Sequence, residues 1–114
     1  MQQHNEKLKY LLDIESVIQE LEKIVSHHNS DYSDFVSNFI SIRAVERDLM
    51  IIGEAIVKLL KIDQDLKISS AKHIVGLRNM IVHAYDSIDP TTLWKILIKD
   101  LSILKSEVNE LLKK

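Results

Sequence analysis

Residues 76–86, GLRNMIVHAYD, hold three side chains able to do chemistry, Arg78, His83 and Tyr85, inside an otherwise apolar helical segment. Arginine is a permanent cation whose planar fork matches phosphate or carboxylate. Histidine changes protonation near neutral pH without special tuning, which suits it to move protons. Asn79 and His83 are four residues apart and so stack on one helix face, while Arg78, five before His83, lies about 140° round and must reach across. The plainer reading of the same spacing is structural: Asn79 satisfies the imidazole and Arg78 pairs with a carboxylate such as Glu54. Tyr85 falls at the helix end, where periodicity does not set its direction.

On a helical wheel Ile74, Leu77, Ile81 and Ala84 fall together as a core face. Val75 and Val82 lie almost opposite, beside Lys72, Gly76, Asn79 and His83. An edge helix of a monomeric bundle has no need of apolar residues on its outer side. The two valines therefore point to a second burial surface, most simply a twin subunit related by a two-fold axis.

The rest of the chain must position this segment. At 114 residues it has room for one domain, residues 1–114, with a single modest core. Two glycines and one proline leave little turn-rich chain, and Leu, Ile, Lys and Glu dominate, so the expected class is all-α. Cysteine is absent, which removes disulfides, thiolate nucleophiles and cysteine-ligated zinc. That is compatible with the cytoplasmic location expected here. No apolar run approaches a membrane span, and the first residues lack a signal-peptide core. A formal net charge of −2 gives no general attraction to nucleic acid, so any RNA contact must be local.

Asn5 is a candidate cap for a first helix in which Leu11, Ile14, Ile18, Leu21 and Val25 make one buried stripe. It fades at residues 26–30, where His27 and His28 point about 100° apart and read as solvated helix-end residues rather than metal ligands. Residues 31–38 could form a short helix or an ordered link. A long helix follows over residues 39–60, with Val45, Leu49, Ile52, Ile56 and Leu59 as its stripe. Arg43, Arg47 and Glu54 form a second, charged line that reads most simply as a solvated face. Gly53 inside this helix costs about 1 kcal/mol against Ala; a close helix crossing would explain it. After a linker at residues 61–67, Ser69 or Ser70 caps the third long helix. Asp89 and Pro90 signal the start of the last one. There Leu93, Ile96 or Leu97, Leu101, Leu104, Val108 and Leu111 face inward. Four amphipathic helices with short connections, and one extra short helix at most, predict an antiparallel four-helix bundle.

Arg78-(four residues)-His83-Ala84-Tyr85 resembles the R-x4-H-x-Y motif of HepT-like toxins, a branch of the HEPN superfamily, and Asn79 fits the polar residue usual after the Arg. The segment from Arg47 to Ala55, RDLMIIGEA, and the region of Asp86 to Asp89 with Trp94 are similar to the family's flanking segments. The likeness covers nearly the whole chain in matching order. It implies a HEPN-like bundle forming a two-fold dimer through the Arg78–His83 helix face, so that two motifs line one cleft. It implies a metal-independent endoribonuclease toxin of a toxin–antitoxin pair (type VII, earlier grouped with type II). Its partner would be an MntA-like nucleotidyltransferase antitoxin, which uses ATP and Mg²⁺ to transfer AMP to Tyr85. On this reading Arg78 and His83 are catalytic, Asn79, Glu54 and Arg47 support them, and RNA cleavage itself uses no cofactor. The alternative is a non-catalytic helical module that docks a nucleotidyltransferase partner.

Overall fold

Two long helices form the spine. A computed structural model of the chain describes residues 2–83 and 88–113, with side chains for all of these except Gln2, Gln3 and His83. Helix α1 (Gln2–His27) packs along α3 (Phe39–Ile62), and the short α2 (Tyr32–Val36) joins them. Helix α4 (Ala71–His83) lies on the other flank of α3. The last helix, built from α5 (Pro90–Lys95), a π turn (Ile96–Asp100) and α6 (Leu101–Lys113), packs against α1, touches α3 at its start and meets the beginning of α4 through His73 and Asp100. The described residues are thus the expected four-helix arrangement with one short helix added.

The buried stripes are those the periodicity marks. Leu11, Ile14, Ile18 and Leu21 of α1 meet Val45, Leu49, Ile52, Ile56 and Leu59 of α3, all buried. Ile74 and Leu77 of α4 are buried against α3, while Ile81 is only half-buried. In the last helix both Ile96 and Leu97 are buried. The π turn over Ile96–Asp100 accounts for this, because its wider turn slips the helix phase and lets adjacent residues share the inner side.

Three local expectations are corrected. Helix α1 begins at Gln2, so Asn5 lies inside it rather than at its cap. Ser70 stands at the N-cap of α4, its carbonyl accepting from the Ile74 N–H at 3.0 Å, but neither serine hydroxyl caps the helix: Ser69 donates from its N–H and Oγ to Glu107, at 2.9 and 3.1 Å, and the buried Ser70 Oγ has no partner among the described residues. Nor is His28 a solvated residue; it is 2% exposed. Helix α1 closes through Asn29 and Ser30 in left-handed conformation (φ 54° and 57°), with Ser30 N–H donating to the Val25 carbonyl. That turn carries His28 inward. Its Nδ1 lies 2.6 Å from Asp34 Oδ2, and its Nε2 lies 2.7 Å from Ser41 Oγ. A carboxylate only accepts, so Nδ1–H donates to Asp34, and Nε2 shares the second hydrogen bond with the Ser41 hydroxyl. The order of groups is that of a hydrolytic triad, but imidazole and hydroxyl are both buried and closed off from a substrate. The set pins α2 between α1 and α3.

Asp48, 1% exposed, is the costliest group in the core. Its Oδ1 lies 3.5 Å from Arg47 Nη1, and its Oδ2 has no partner among the described residues. Burial, then the negative charge of Glu20, push its carboxyl up to about 6 against the pull of Arg47. An unfolded aspartate titrates near ~4, so the folded protein retains a proton that the unfolded chain sheds between about pH 4 and 6. Stability therefore falls as pH rises through that window, and the loss persists above it. Asp48→Asn is expected to stabilise the protein by on the order of 2 kcal/mol at pH 8 and by little at pH 4. Urea melts at the two pH values check this; an equal gain at both would show that charge burial is not the cause.

Candidate functional site

Gly53 sets the position of Arg78. A Cβ at Gly53 would stand 2.5 Å from Arg78 Cβ, 3.0 Å from its Cγ and 3.3 Å from the Ile74 carbonyl oxygen. The bare glycine backbone therefore lets α4 settle directly on α3, and the stem of Arg78 lies across the contact. This is the close crossing the sequence suggested. Arg78 emerges with two of its donors engaged: Nη1 donates to Asn79 Oδ1 at 2.9 Å, and Nη2 stands 3.7 Å from Glu54 Oε1. Its Nε is buried with no partner among the described residues. The guanidinium is thus held from both sides at the edge of a shallow groove lined by Glu54, Val57, Lys58, Lys61 and Arg78.

Helices α3 and α4 run antiparallel. Ile74 and Arg78 lie against Gly53, and after α4 the Ile88 N–H reaches Glu46 Oε2, 3.4 Å away, nearer the start of α3. Five residues past Arg78 is about 7.5 Å of helix. The backbone of His83 consequently stands near the level of Arg47 and Asp48. Arg47 is 67% exposed at its side chain, and its Nη1 stands 3.5 Å from Asp48 Oδ1. The structure therefore joins Arg78, Asn79 and Glu54 in one contacting set. It brings Arg47 to the height of His83 without a contact between Arg47 and Arg78. Asn79 Oδ1 accepts from Arg78; the His83 side chain and Tyr85 lie outside the described residues, and with them the expected contact of Asn79 with the imidazole.

The outer side of α4 is open in part. Val82 and Met80 are exposed, whereas Val75 is half-buried, so the second apolar surface is narrower than the wheel suggests. His73 Nδ1, 3.4 Å from Asp100 Oδ2, links the helix to the π turn. Among the described residues no group of three or more His, Cys, Asp or Glu could hold a metal ion. None of the described helices is long and apolar enough to cross a membrane.

A cation and a histidine five residues apart on one helix of an all-α bundle, with that helix anchored to its neighbour, agree with the HEPN-like bundle that the resemblance implies. The comparisons narrow this to one family. The model of the family described as Ribonuclease HepT-like matches residues 14–111. A protein of Caldanaerobacter subterraneus subsp. tengcongensis, described as a candidate RNase, is 32% identical over 104 residues, covering 89% of this chain and 92% of its own. Two proteins of Methanocaldococcus jannaschii with the same kind of description are 41% identical over 80 residues and 29% identical over 105. The first of these two matches covers 68% of this chain and 72% of its own, the second 91% and 89%. No solved structure matches significantly. The chain belongs to the HepT-like ribonuclease family, a family of endoribonucleases.

Proposed function

We propose that the protein is the toxin of a toxin–antitoxin pair and cuts RNA without a metal ion, using Arg78 and His83. The observation that carries this is the fixed guanidinium at the α3–α4 crossing, with His83 one and a half turns further along the same helix. The nucleophile is the RNA's own 2′-hydroxyl. It attacks the adjacent phosphorus, the bond to the 5′ oxygen breaks, and the products are a 2′,3′-cyclic phosphate and a 5′-hydroxyl. One imidazole removes the 2′ proton and another group protonates the departing 5′ oxygen. A two-fold dimer through the outer face of α4 would supply His83 from each protomer for the two roles. Arg78 bonds the non-bridging oxygens and offsets charge on the pentacoordinate phosphorus. Asn79 and Glu54 hold that guanidinium in place, which is the supporting role for both.

Control falls to Tyr85. A nucleotidyltransferase antitoxin would direct its phenolic oxygen onto the α-phosphorus of Mg²⁺-bound ATP; pyrophosphate leaves, the phenolic proton is lost to a base, and AMP remains. The added bulk and negative charge on the motif would repel an RNA backbone. Incubation with ATP, Mg²⁺ and the partner is expected to raise the mass by AMP units and to extinguish cleavage. Tyr85→Phe should show neither change. Equal addition to the Phe variant would show that another residue is the acceptor.

A further inference from the structure

The chain has only three arginines, Arg43, Arg47 and Arg78, and all three border the same side of α3. Its lysines, in contrast, occur on every long helix. By helical register Phe39, Arg43, Arg47, Met50 and Glu54 fall within about 80° of one another on α3, in the sector next to Gly53. Two contacts confirm that this sector borders the site: Glu54 stands beside Arg78, and Glu46 bridges Arg43 Nη1, at 2.6 Å, to the Ile88 N–H that follows the motif.

At the far end of this strip Phe39 is 72% exposed, and its neighbour Ile40 is 68% exposed. The other phenylalanine, Phe35, is fully buried and stacked near Trp94, with ring centroids 5.0 Å apart. Isolated exposed apolar residues are ordinary. Here, however, an exposed ring and an exposed arginine lie eight residues apart on one line, spanning about 12 Å of helix. The line ends at the level of the His83 backbone. A ring face for a base and a guanidinium for a phosphate are what a single-stranded RNA backbone takes from a protein. In a chain of net charge −2, affinity for RNA has to come from such a local strip.

We propose that Phe39 and Arg47 form a substrate track that binds single-stranded RNA flanking the cleaved phosphate. Phe39 stacks on a base and Arg47 holds a backbone phosphate. The inference rests on the ribonuclease reading above and adds to it the route of the strand.

The test measures binding of a fluorescently labelled, unstructured oligoribonucleotide to the His83→Ala protein, and cleavage of the same RNA by the otherwise unaltered chain. Phe39→Ala is expected to weaken binding about tenfold, the loss of one stacked base. Arg47→Gln should weaken it and lower the salt dependence of log K by about one contact. Both should raise KM much more than they lower kcat. Phe39 is exposed, whereas Arg47 also stands 3.5 Å from the buried Asp48, so urea melts of Arg47→Gln are run beside the binding measurement to separate lost stability from lost affinity. Unchanged affinity and KM in both variants, with cleavage still lost in Arg78→Ala, overturns the track and leaves the ribonuclease reading standing. A Phe39→Ala protein that becomes monomeric by light scattering makes the patch a subunit contact and also overturns the proposal. Absence of RNA cleavage by the unaltered protein overturns both.

Discussion

Arg78→Ala is expected to lower the rate of RNA cleavage by about 10²–10³-fold, the usual cost of removing one fixed donor to the developing charge. His83→Ala should cost about 10²–10⁴-fold, the range for a positioned proton-transfer group. The Arg78 loss is not a disguised unfolding. Its partners Asn79 and Glu54 are exposed enough to be solvated when the guanidinium is removed, and Ala keeps the Cβ that rests on Gly53. Arg78→Lys separates charge from shape. Lysine restores the positive charge but not the fork that takes Asn79, Glu54 and a phosphate oxygen at once, so it should recover little. Single-turnover rates on a labelled RNA, with circular dichroism melts of each variant, give the comparison. A lysine variant as fast as the native protein would reduce Arg78 to a generic cation.

Gly53→Ala is expected to act on the same guanidinium from behind. The new methyl would lie 2.5 Å from Arg78 Cβ and 3.3 Å from a backbone oxygen of α4, neither of which can swing aside as a flexible chain end would. The helix must back away. Overpacking of this kind costs about 1–3 kcal/mol, against which Ala returns up to about 1 kcal/mol of helix propensity. The net result is a protein less stable by on the order of 1 kcal/mol. Its catalytic loss should be larger than that figure suggests, since a displacement of about 1 Å at a reacting group can cost 10²-fold. The other glycine is the internal comparison. A Cβ at Gly76 meets nothing within 4 Å, so Gly76→Ala should raise stability by the propensity difference alone. Thermal melts of the two variants should therefore shift in opposite directions. Equal shifts would contradict the packing explanation.

Much of the bundle was legible because burial imposes a period. The stripes of α1 and α3 repeat at three and four residues without interruption, and each expected core position on α3 is buried. Where the period breaks, sequence reading becomes ambiguous for a physical reason: the choice between Ile96 and Leu97 had no answer, since a π turn turns both inward. His28 was misread for a different reason. Its partners Asp34 and Ser41 come from two other helices, and only the left-handed turn at Asn29 and Ser30 brings them together. At the candidate site one pairing was legible. Glu54 was named as a carboxylate for Arg78 and stands beside it, and Asn79 bonds the same arginine. Exposure of Phe39 could not be read from spacing, because an apolar residue at the first turn of an amphipathic helix is ordinarily core.

The central claim is that Arg78 and His83 cleave RNA by attack of its own 2′-hydroxyl. Incubation of purified protein with a labelled RNA in excess EDTA, followed by mass analysis of the fragment ends, tests it most directly. The native protein should leave 2′,3′-cyclic phosphate and 5′-hydroxyl ends, and His83→Ala should leave the RNA intact. Cleavage that stops in EDTA, fragments bearing 5′-phosphates, or full cleavage by His83→Ala would contradict it.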